Sequence, residues 1–201
     1  MDAKPYSAAC ERNREPILAA LRTHFADRRQ VLEIGSGTGQ HAAYFAAHLP
    51  QLSWHASDRA ANLPGIRQWL DEAALPHTPA PLVLDVARGP WPRQTFDAVF
   101  TANTLHIMAW SEVEALFAAL PSVASKDAKL AIYGPFNYGG RYTSTSNAEF
   151  DRSLKAQAAH MGIRDFADVD ALARSAGFAL IEDATMPANN RCLVWQRREH
   201  P

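Results

Sequence analysis

Short apolar runs alternate with longer amphipathic segments along most of the chain. The runs have the length of buried strands, and the segments between them place apolar residues three and four positions apart, as a helix does. This alternation predicts an α/β fold, in which a mostly parallel sheet carries helices on both faces. Strands are predicted at 30–34, 52–57, 81–84, 96–102, 128–133, 178–184 and 192–196, and helices at 14–27, 38–48, 64–74, 111–120, 146–160 and 165–176.

Local signals place several helix ends. Ser111 with Glu114, and Ser146 with Glu149, have capping-box spacing and predict the starts of two helices. Gly177 follows the last predicted helix, where glycine commonly ends one.

Four predicted strands end in a polar residue: Glu33, Asp58, Asp85 and Asn103. Ligands of parallel sheets bind at the carboxyl ends of the strands, so these side chains are expected to converge at one edge. Structural alternatives exist for three of them: Asp58 as a helix cap, Asp85 as a turn cap, and Asn103 as a helix or turn residue.

A glycine-rich loop follows the first strand. Residues 31–39 read VLEIGSGTG, so Gly35, Gly37 and Gly39 alternate with Ser36 and Thr38 before a predicted helix. Such a loop lets a ligand approach bare backbone at a helix N-terminus. A dinucleotide site requires a glycine at position 40, which is glutamine, and no Gly-Lys-Ser or Gly-Lys-Thr phosphate loop is present.

The acids around this loop favour a ligand with a cationic amino-acid end and a nucleoside. Glu33 would attract the cationic end, and Asp58 would accept hydrogen bonds from ribose hydroxyls. Asp85 would accept one from the adenine amino group, beside which Val86 would flank the ring. These features predict a site for S-adenosylmethionine, which leaves as S-adenosylhomocysteine.

Composition and charge reduce the number of protein classes to which the chain could belong. The chain has 201 residues, 47% of them hydrophobic and 20% charged, as expected of one globular domain covering 1–201. With 20 basic and 21 acidic residues, the chain has no general attraction for nucleic acid or anionic membrane. Only two cysteines are present, without metal-ligand neighbours. A cytoplasmic protein without a metal site or a membrane segment is therefore expected.

The chain resembles class I S-adenosylmethionine-dependent methyltransferases and, more narrowly, the methyltransferase-like protein 26 family, long catalogued as a domain of unknown function. The resemblance implies a Rossmann-like three-layer αβα sandwich, with a seven-stranded sheet in the order 3-2-1-4-5-7-6 and an antiparallel last strand. Two positions depart from the pattern, since Gly35 stands in place of an expected alanine and Met161 in place of an expected tryptophan. The matching segments include 12–18, 32–41, 57–58, 84–86, 91–92, 105–107, 133–136, 143–151, 162–165 and 186–190.

Other polar residues are expected to serve the cofactor lid and the methyl acceptor. In class I folds an N-terminal segment commonly covers the cofactor, so residues 1–15 are a candidate lid, with Arg12 and Asn13 contacting the cofactor. A helix start with local ion pairs is the alternative. Residues 134–165 form a candidate insertion on the substrate side. His106 is a candidate general base, or else a structural histidine, and Tyr133 is a second candidate catalytic residue.

The leading prediction is in-line methyl transfer to an unidentified acceptor, more plausibly a small molecule than a protein side chain. A non-catalytic S-adenosylmethionine-binding or interaction protein is the alternative, and a nicotinamide-dependent oxidoreductase is disfavoured by Gln40. The sequence predicts no oligomeric state.

Overall fold

The computed structural model describes residues 3–198 and contains a seven-stranded sheet in the order β3-β2-β1-β4-β5-β9-β8. The strands are β1 Gln30–Ile34, β2 Ser53–Asp58, β3 Leu82–Val83, β4 Phe96–Ala102, β5 Ala124–Gly134, β6 Phe136–Asn137, β7 Arg164–Asp165, β8 Phe178–Met186 and β9 Asn190–Arg197. The helices are α1 Ala8–His24, α2 Gln40–His48, α3 Leu63–Ala73, α4 Trp110–Val123, α5 Thr145–Gln157 and α6 Phe166–Ser175.

The strand order agrees with the sequence-based expectation. Strands β1 to β5 are mutually parallel, and β9 runs antiparallel to both β5 and β8. Numbered within the sheet alone, the order is 3-2-1-4-5-7-6, and the antiparallel last strand is confirmed. A separate parallel pair, β6 with β7, was not predicted from the sequence.

Two apolar cores lie on opposite faces of the sheet. Helices α1, α2 and α3 pack on one face and α4 and α6 on the other, which gives three layers. Alternate residues of each central strand enter opposite cores, as in β1, where Val31 faces one core and Leu32 and Ile34 the other. The predicted α/β sandwich is thereby confirmed.

The first helix starts earlier than predicted. Helix α1 begins at Ala8 instead of residue 14, because Ser7 caps it by accepting a hydrogen bond from the Cys10 N–H at 3.4 Å. Pro16 consequently lies inside the helix and not near its start. It lacks the N–H that would bond to the Arg12 carbonyl.

Both predicted N-caps are shifted by two residues, and the second is a serine cap without the predicted capping box. At α4 the Glu112 carboxylate accepts from the Ala109 N–H at 2.8 Å, and at α5 the Ser144 hydroxyl accepts from the Asn147 N–H at 3.1 Å. Helix α5 stops at Gln157, three residues before the predicted end. There the chain turns so that the Gly162 N–H donates to the His106 carbonyl at 3.0 Å.

Candidate functional site

The loop between β1 and α2 adopts a conformation that favours glycine at three positions. Gly35, Gly37 and Gly39 have φ of +72°, +59° and +90°. A Cβ on Gly39 would lie 2.8 Å from Ile66 Cα, so glycine there lets the loop touch the backbone of α3. A Cβ on Gly35 would lie 2.6 Å from Cγ2 of Thr104. Backbone geometry therefore disfavours a side chain at all three glycines, and close packing leaves no room for one at Gly35 and Gly39.

Hydrogen bonds hold the loop against β2. The N–H groups of Gly35 and Ser36 both donate to the Ser57 carbonyl at 3.0 Å, and the Ser57 N–H donates to Ser36 Oγ at 3.1 Å. The Thr38 hydroxyl accepts from the Gln40 N–H at 3.3 Å where α2 begins. The loop is thus fixed by its own protein contacts before any ligand arrives.

Asp58 connects the end of β2 to the glycine loop. Its Oδ2 accepts from the Gly37 N–H at 2.7 Å, and its Oδ1 accepts from the Arg59 N–H at 2.7 Å and the Asn62 side-chain amide at 2.9 Å. A carboxylate offers about four acceptor positions, so three bonds leave one for a ligand. The side chain also lines a cleft, which makes that remaining position reachable.

The cleft opens at the carboxyl edge of the sheet and has a volume of about 770 Å³. This is the size range of sites that take a cofactor or drug-sized molecule. Gly35 and Asp58 lie on one side, and apolar side chains, including Leu84 and Val86, supply much of the wall. Its lining consists of Ile34, Gly35, Asp58, Arg59, Asn62, Leu84, Val86, Asn103, Thr104, Ile107, Met108, Ala109, Ser111, Glu112, His160 and Met161.

The predicted cofactor residues are only partly brought together at this cleft. Gly35, Asp58, Val86 and Asn103 line it. Glu33, Ser36, Gly37, Thr38 and Gly39 belong to the same strand and loop without lining the cleft, Asp85 lies beside it, and Arg12 and Asn13 are on α1.

The Asp85 carboxylate accepts hydrogen bonds from backbone N–H groups of its own turn. Its Oδ1 accepts from the N–H groups of Ala87 at 3.0 Å and Arg88 at 3.2 Å, as the turn-cap alternative predicts. Its Oδ2 lies 3.7 Å from Arg59 Nε. Arg59 continues across to α4, where its guanidinium pairs with the Glu112 carboxylate. A chain of charges therefore joins the end of β2 to the start of α4 along the cleft.

Glu33 lies beneath the glycine loop and is 2% exposed. The Trp54 indole N–H donates to its Oε2 at 2.9 Å. Burial raises the pKa of Glu33 to about 7, against the lowering effect of the Trp54 and Ser36 hydrogen bonds, and the nearby charge of Asp58 raises it further. Glu33 therefore exchanges a proton near neutral pH.

His106 follows β4 and is 6% exposed. Burial lowers its pKa to about 4, and the charge of Arg164 lowers it further, so the ring is neutral at pH 7. Within residues 3–198, neither ring nitrogen has a hydrogen-bond partner. A Cβ on Gly134 would lie 3.8 Å from His106 Nδ1 and 3.9 Å from Asn103 Oδ1, so the two side chains are neighbours over the end of β5. His106 itself does not line the cleft, whereas the next two residues, Ile107 and Met108, do.

Tyr133 lies on the opposite face of β5, toward α1. Its hydroxyl accepts from the Asn190 side-chain amide at 3.0 Å, and burial raises its pKa. Asn13 acts to lower the pKa of this hydroxyl, and the Asn13 Oδ1 lies 2.7 Å from His41 Nε2. Tyr133 and Asn13 are thus members of one buried polar network between α1, α2 and β5.

Residues 3–7 pack against α3. The Pro5 carbonyl accepts from the Trp69 indole N–H at 2.8 Å, and Lys4 pairs with Glu72. The exposed Arg12 side chain has no hydrogen-bond or ion-pair partner among the described residues. Residues 1 and 2 of the predicted lid lie outside the described range.

Sequence reasoning missed several residues of the cleft. Arg59 and Asn62 follow Asp58 directly, and their proximity to that acid was an available signal. Thr104, like Asn103, lies just after β4, but no residue pattern marked it. His160 and Met161 lie in the segment 134–165 that was predicted for the substrate side, and Met161 was singled out as a departure from the family pattern, but their place in this cleft was not predicted.

Two further expectations concern metals and membranes. Across residues 3–198, no group of three or more His, Cys, Asp or Glu side chains is arranged to hold a metal ion. None of the helices in that range combines the length and apolar character required to cross a bilayer.

Residues 4–197 match the model of a family described as DUF938, protein of unknown function. The chain belongs to the DUF938 family. The match spans nearly the whole of this DUF938 protein, including the glycine loop, Asp58 and the cleft.

Several solved structures resemble the DUF938 protein. One is the S-adenosylmethionine-dependent methyltransferase SibL in its apo form, with a TM-score of 0.82 and 21% identity. Another is the mitomycin 7-O-methyltransferase MmcR, with a TM-score of 0.82 and 17% identity. A third is human N-acetylserotonin methyltransferase in complex with S-adenosylmethionine, with a TM-score of 0.78 and 14% identity. At these identities the likeness establishes a Rossmann-like methyltransferase fold.

The matches cover almost all of the DUF938 chain but only part of the others. They include 96%, 94% and 95% of this chain, against 56%, 54% and 53% of SibL, MmcR and the human enzyme. The chain therefore spans about half the length of these methyltransferases.

Proposed function

We propose that this protein is an S-adenosylmethionine-dependent methyltransferase that acts on a small-molecule acceptor. The observation that carries the proposal is the Asp58 carboxylate, which lines a 770 Å³ cleft beside a loop where Gly35 and Gly39 leave no room for a side chain. The cleft has an acceptor for a ribose hydroxyl, an apolar wall for a base, and backbone that a ligand can approach closely. These features fit an adenosyl group. The finer resemblance to the methyltransferase-like protein 26 family is part of the same proposal.

Each residue has a defined task in this proposal. The free acceptor position of Asp58 binds a ribose hydroxyl, and Leu84 and Val86 contact the adenine ring. Glu33 and Asp58 together favour the cationic amino-acid end through their charge. Arg12, which has no partner within residues 3–198, and Asn13 are proposed to contact the cofactor when the N-terminal segment covers it.

The bound cofactor supplies an electrophilic methyl group on a sulfonium. The protein's contribution is to align the acceptor with that methyl group, which needs no covalent nucleophile. His106 is neutral at pH 7 and has an unbonded ring, so it can take the acceptor's proton. Burial and the charge of Arg164 lower the pKa of the ring to about 4, so His106 is a weaker base than an exposed histidine. Tyr133 is assigned a positioning role, because the Asn190 side-chain amide donates to its hydroxyl.

Three organisational points complete the proposal. Residues 1–201 act as one methyltransferase domain, with residues 134–165 on the substrate side. Tyr142, Asp151 and Ile163 join the two ends of that segment, since the Asp151 carboxylate accepts from the Tyr142 hydroxyl at 2.7 Å and from the Ile163 N–H at 2.7 Å. The protein is proposed to work in the cytoplasm.

Calorimetric titration with S-adenosylmethionine, S-adenosylhomocysteine and NAD tests the cofactor. Saturable binding of the first two compounds and no binding of NAD is the expected result. Binding of NAD alone would contradict the proposal. Binding of the sulfonium compound in the absence of turnover on any acceptor would favour the non-catalytic alternative.

Asp58→Ala is expected to weaken S-adenosylmethionine binding about 10- to 100-fold, because a hydrogen bond to a charged group contributes about 1.5–3 kcal/mol. The dissociation constant measured by calorimetry checks this. Asp97→Ala is the matched control, since Asp97 accepts from the N–H groups of Arg29 and Gln30 at the opposite edge of the sheet. An unchanged dissociation constant in Asp58→Ala would remove this residue from the site.

His106→Gln is expected to leave cofactor affinity within about twofold and to lower turnover by about 10²-fold or more, the usual contribution of a positioned base. Glutamine keeps a polar side chain but cannot take up a proton near neutral pH. Release of S-adenosylhomocysteine, measured by mass spectrometry, reports turnover. Equal turnover in the variant and the wild type would assign His106 a structural role.

A further inference from the structure

Two walls of the cleft follow strands that are not neighbours in the sheet. One wall contains Asp58 and Arg59, at the end of β2, and the other includes Asn103 and Glu112, which follow β4. Strand β1 lies between β2 and β4, so the walls start about 10 Å apart, which is two strand spacings. Gly35 follows β1 and lines the cleft between them. A ligand that reaches this bare backbone therefore lies between the two walls.

An ion pair joins these walls. The Arg59 guanidinium donates to the Glu112 carboxylate, and both residues line the cleft. The bond therefore runs from the wall that follows β2 to the wall that follows β4. At this point the two walls can separate only when the pair breaks.

Each partner has a second contact that remains when the pair is broken. The Glu112 Oε2 accepts from the Ala109 N–H at 2.8 Å, and a negative charge is favourable at a helix N-terminus such as that of α4. The Arg59 Nε lies 3.7 Å from Oδ2 of Asp85, which offers the guanidinium an alternative carboxylate. Opening of the pair therefore leaves neither charge isolated.

The exposure of the pair makes it easy to break. The side chains of Arg59 and Glu112 are 56% and 22% exposed. Ion pairs with this access to water contribute little to stability and are screened by salt. The pair is therefore better suited to a contact that opens and closes during ligand exchange than to one that holds the fold together.

We propose that the Arg59–Glu112 pair is a latch that retains the cofactor in the cleft. The pair is closed in the structure, opens as Arg59 moves toward Asp85 when the cofactor enters or leaves, and closes again on the occupied cleft. This inference rests on the proposed function and adds two residues that control exchange of the cofactor. Both are positioning residues, because they act on the walls of the cleft and not on the methyl group.

Surface plasmon resonance with S-adenosylhomocysteine measures entry and release separately. Glu112→Gln removes the charge but keeps an oxygen for the Ala109 N–H, and Arg59→Met keeps a long side chain without its charge. Each variant is expected to raise both the association and the dissociation rate constant about fivefold, the upper range for an exposed ion pair. The dissociation constant is their ratio and is expected to stay within about twofold of the wild-type value.

Salt distinguishes a latch from a merely structural contact. S-adenosylhomocysteine has no net charge at pH 7, so added salt acts mainly on the ion pairs of the protein. Raising sodium chloride from about 0.05 M to about 0.5 M is expected to increase both rate constants in the wild type and to leave those of the two variants unchanged. Arg174→Gln is the matched control, because Arg174 is an exposed arginine of α6 that pairs with Asp170 at 2.7 Å, and it is expected to behave as the wild type.

The outcomes separate this inference from the proposed function. Failure of the wild-type protein to bind S-adenosylhomocysteine removes the proposed function. Where the compound binds, any of three results overturns the latch: wild-type rate constants in both variants, faster release with unchanged entry, or the same salt response in the wild type and the variants. Faster release alone would make the two residues ordinary binding contacts.

Discussion

Gly39→Ala is expected to lower the free energy of unfolding by about 2–5 kcal/mol. Two costs add. The left-handed backbone costs an L-residue about 1–2 kcal/mol, and forcing a methyl group into a packed contact costs a further 1–3 kcal/mol. The contact is severe because the new Cβ would lie 2.8 Å from Ile66 Cα, a backbone atom that cannot rotate away. Urea unfolding followed by circular dichroism measures the change.

Gly37→Ala separates the two costs in the same loop. Gly37 has φ of +59°, but a Cβ there would meet no heavy atom within 4 Å. Only the backbone cost remains, so a loss of about 1–2 kcal/mol is expected. If the two alanine variants unfolded at the same urea concentration, the contact between the loop and α3 would not be the reason for glycine at position 39.

Gly39 differs in position from the third glycine of a dinucleotide-binding loop, and this difference was visible in the sequence. In a dinucleotide site the third glycine allows close packing of helix and strand, and Gln40 excludes that motif here. Gly39 provides a similar close approach one position earlier, against α3. The strands and the placement of the polar residues at their ends were predictable because burial and alternation are local properties of the sequence, whereas the strand order was an implication of the resemblance to class I methyltransferases.

The interior of the site was less predictable, because it depends on side-chain partners distant in sequence. Asp58 ends β2 and Asp85 follows β3 by two residues, yet Asp58 bonds to the glycine loop whereas Asp85 bonds to the N–H groups of Ala87 and Arg88. Turn geometry decides between these outcomes, and neither residue type nor spacing reveals it. The same limit applies to His160 and Met161, which reach the cleft only because α5 ends early.

The residues that cap the helices were also not fully predictable from the sequence. A serine with a glutamate three residues later occurs at 111–114 and at 146–149, but the N-caps of α4 and α5 lie two residues earlier, at Ala109 and Ser144. At α4 the cap is supplied by Glu112, which also pairs with Arg59. Tertiary partners can thus select one acid over another of equal local suitability.

Glu33→Gln is expected to remove a pH dependence of stability worth about 3 kcal/mol, since each pKa unit corresponds to 1.36 kcal/mol. The pKa of the Glu33 carboxyl is raised from 4.5 to about 7 in the folded protein, chiefly by burial. The contribution of the Glu33 carboxyl to stability is fully present below pH 4.5, where this group is protonated in both the folded and the unfolded protein. It is lost as the pH rises from 4.5 to about 7, because ionisation then favours the unfolded chain.

The difference in unfolding free energy between wild type and Glu33→Gln isolates this group, because all other titrating groups are shared. Between pH 4.5 and pH 8, the free energy of unfolding is expected to fall by about 3 kcal/mol more in the wild type than in the variant. Glutamine keeps an oxygen that can accept from the Trp54 N–H. Urea unfolding at pH 4.5, 6 and 8 provides the measurement, and parallel curves for the two proteins would contradict the raised pKa.

Trp54→Phe tests the cause of the raised pKa from the opposite side. The indole N–H donates to Glu33 at 2.9 Å and lowers the carboxyl pKa against the effect of burial. Removing that donor is expected to raise the pKa further, so the stability loss should extend to higher pH than in the wild type. The loss of core volume lowers stability at every pH, whereas only the lost hydrogen bond moves the pH at which stability declines. An unmoved pH range would mean that Trp54 acts on Glu33 through packing alone.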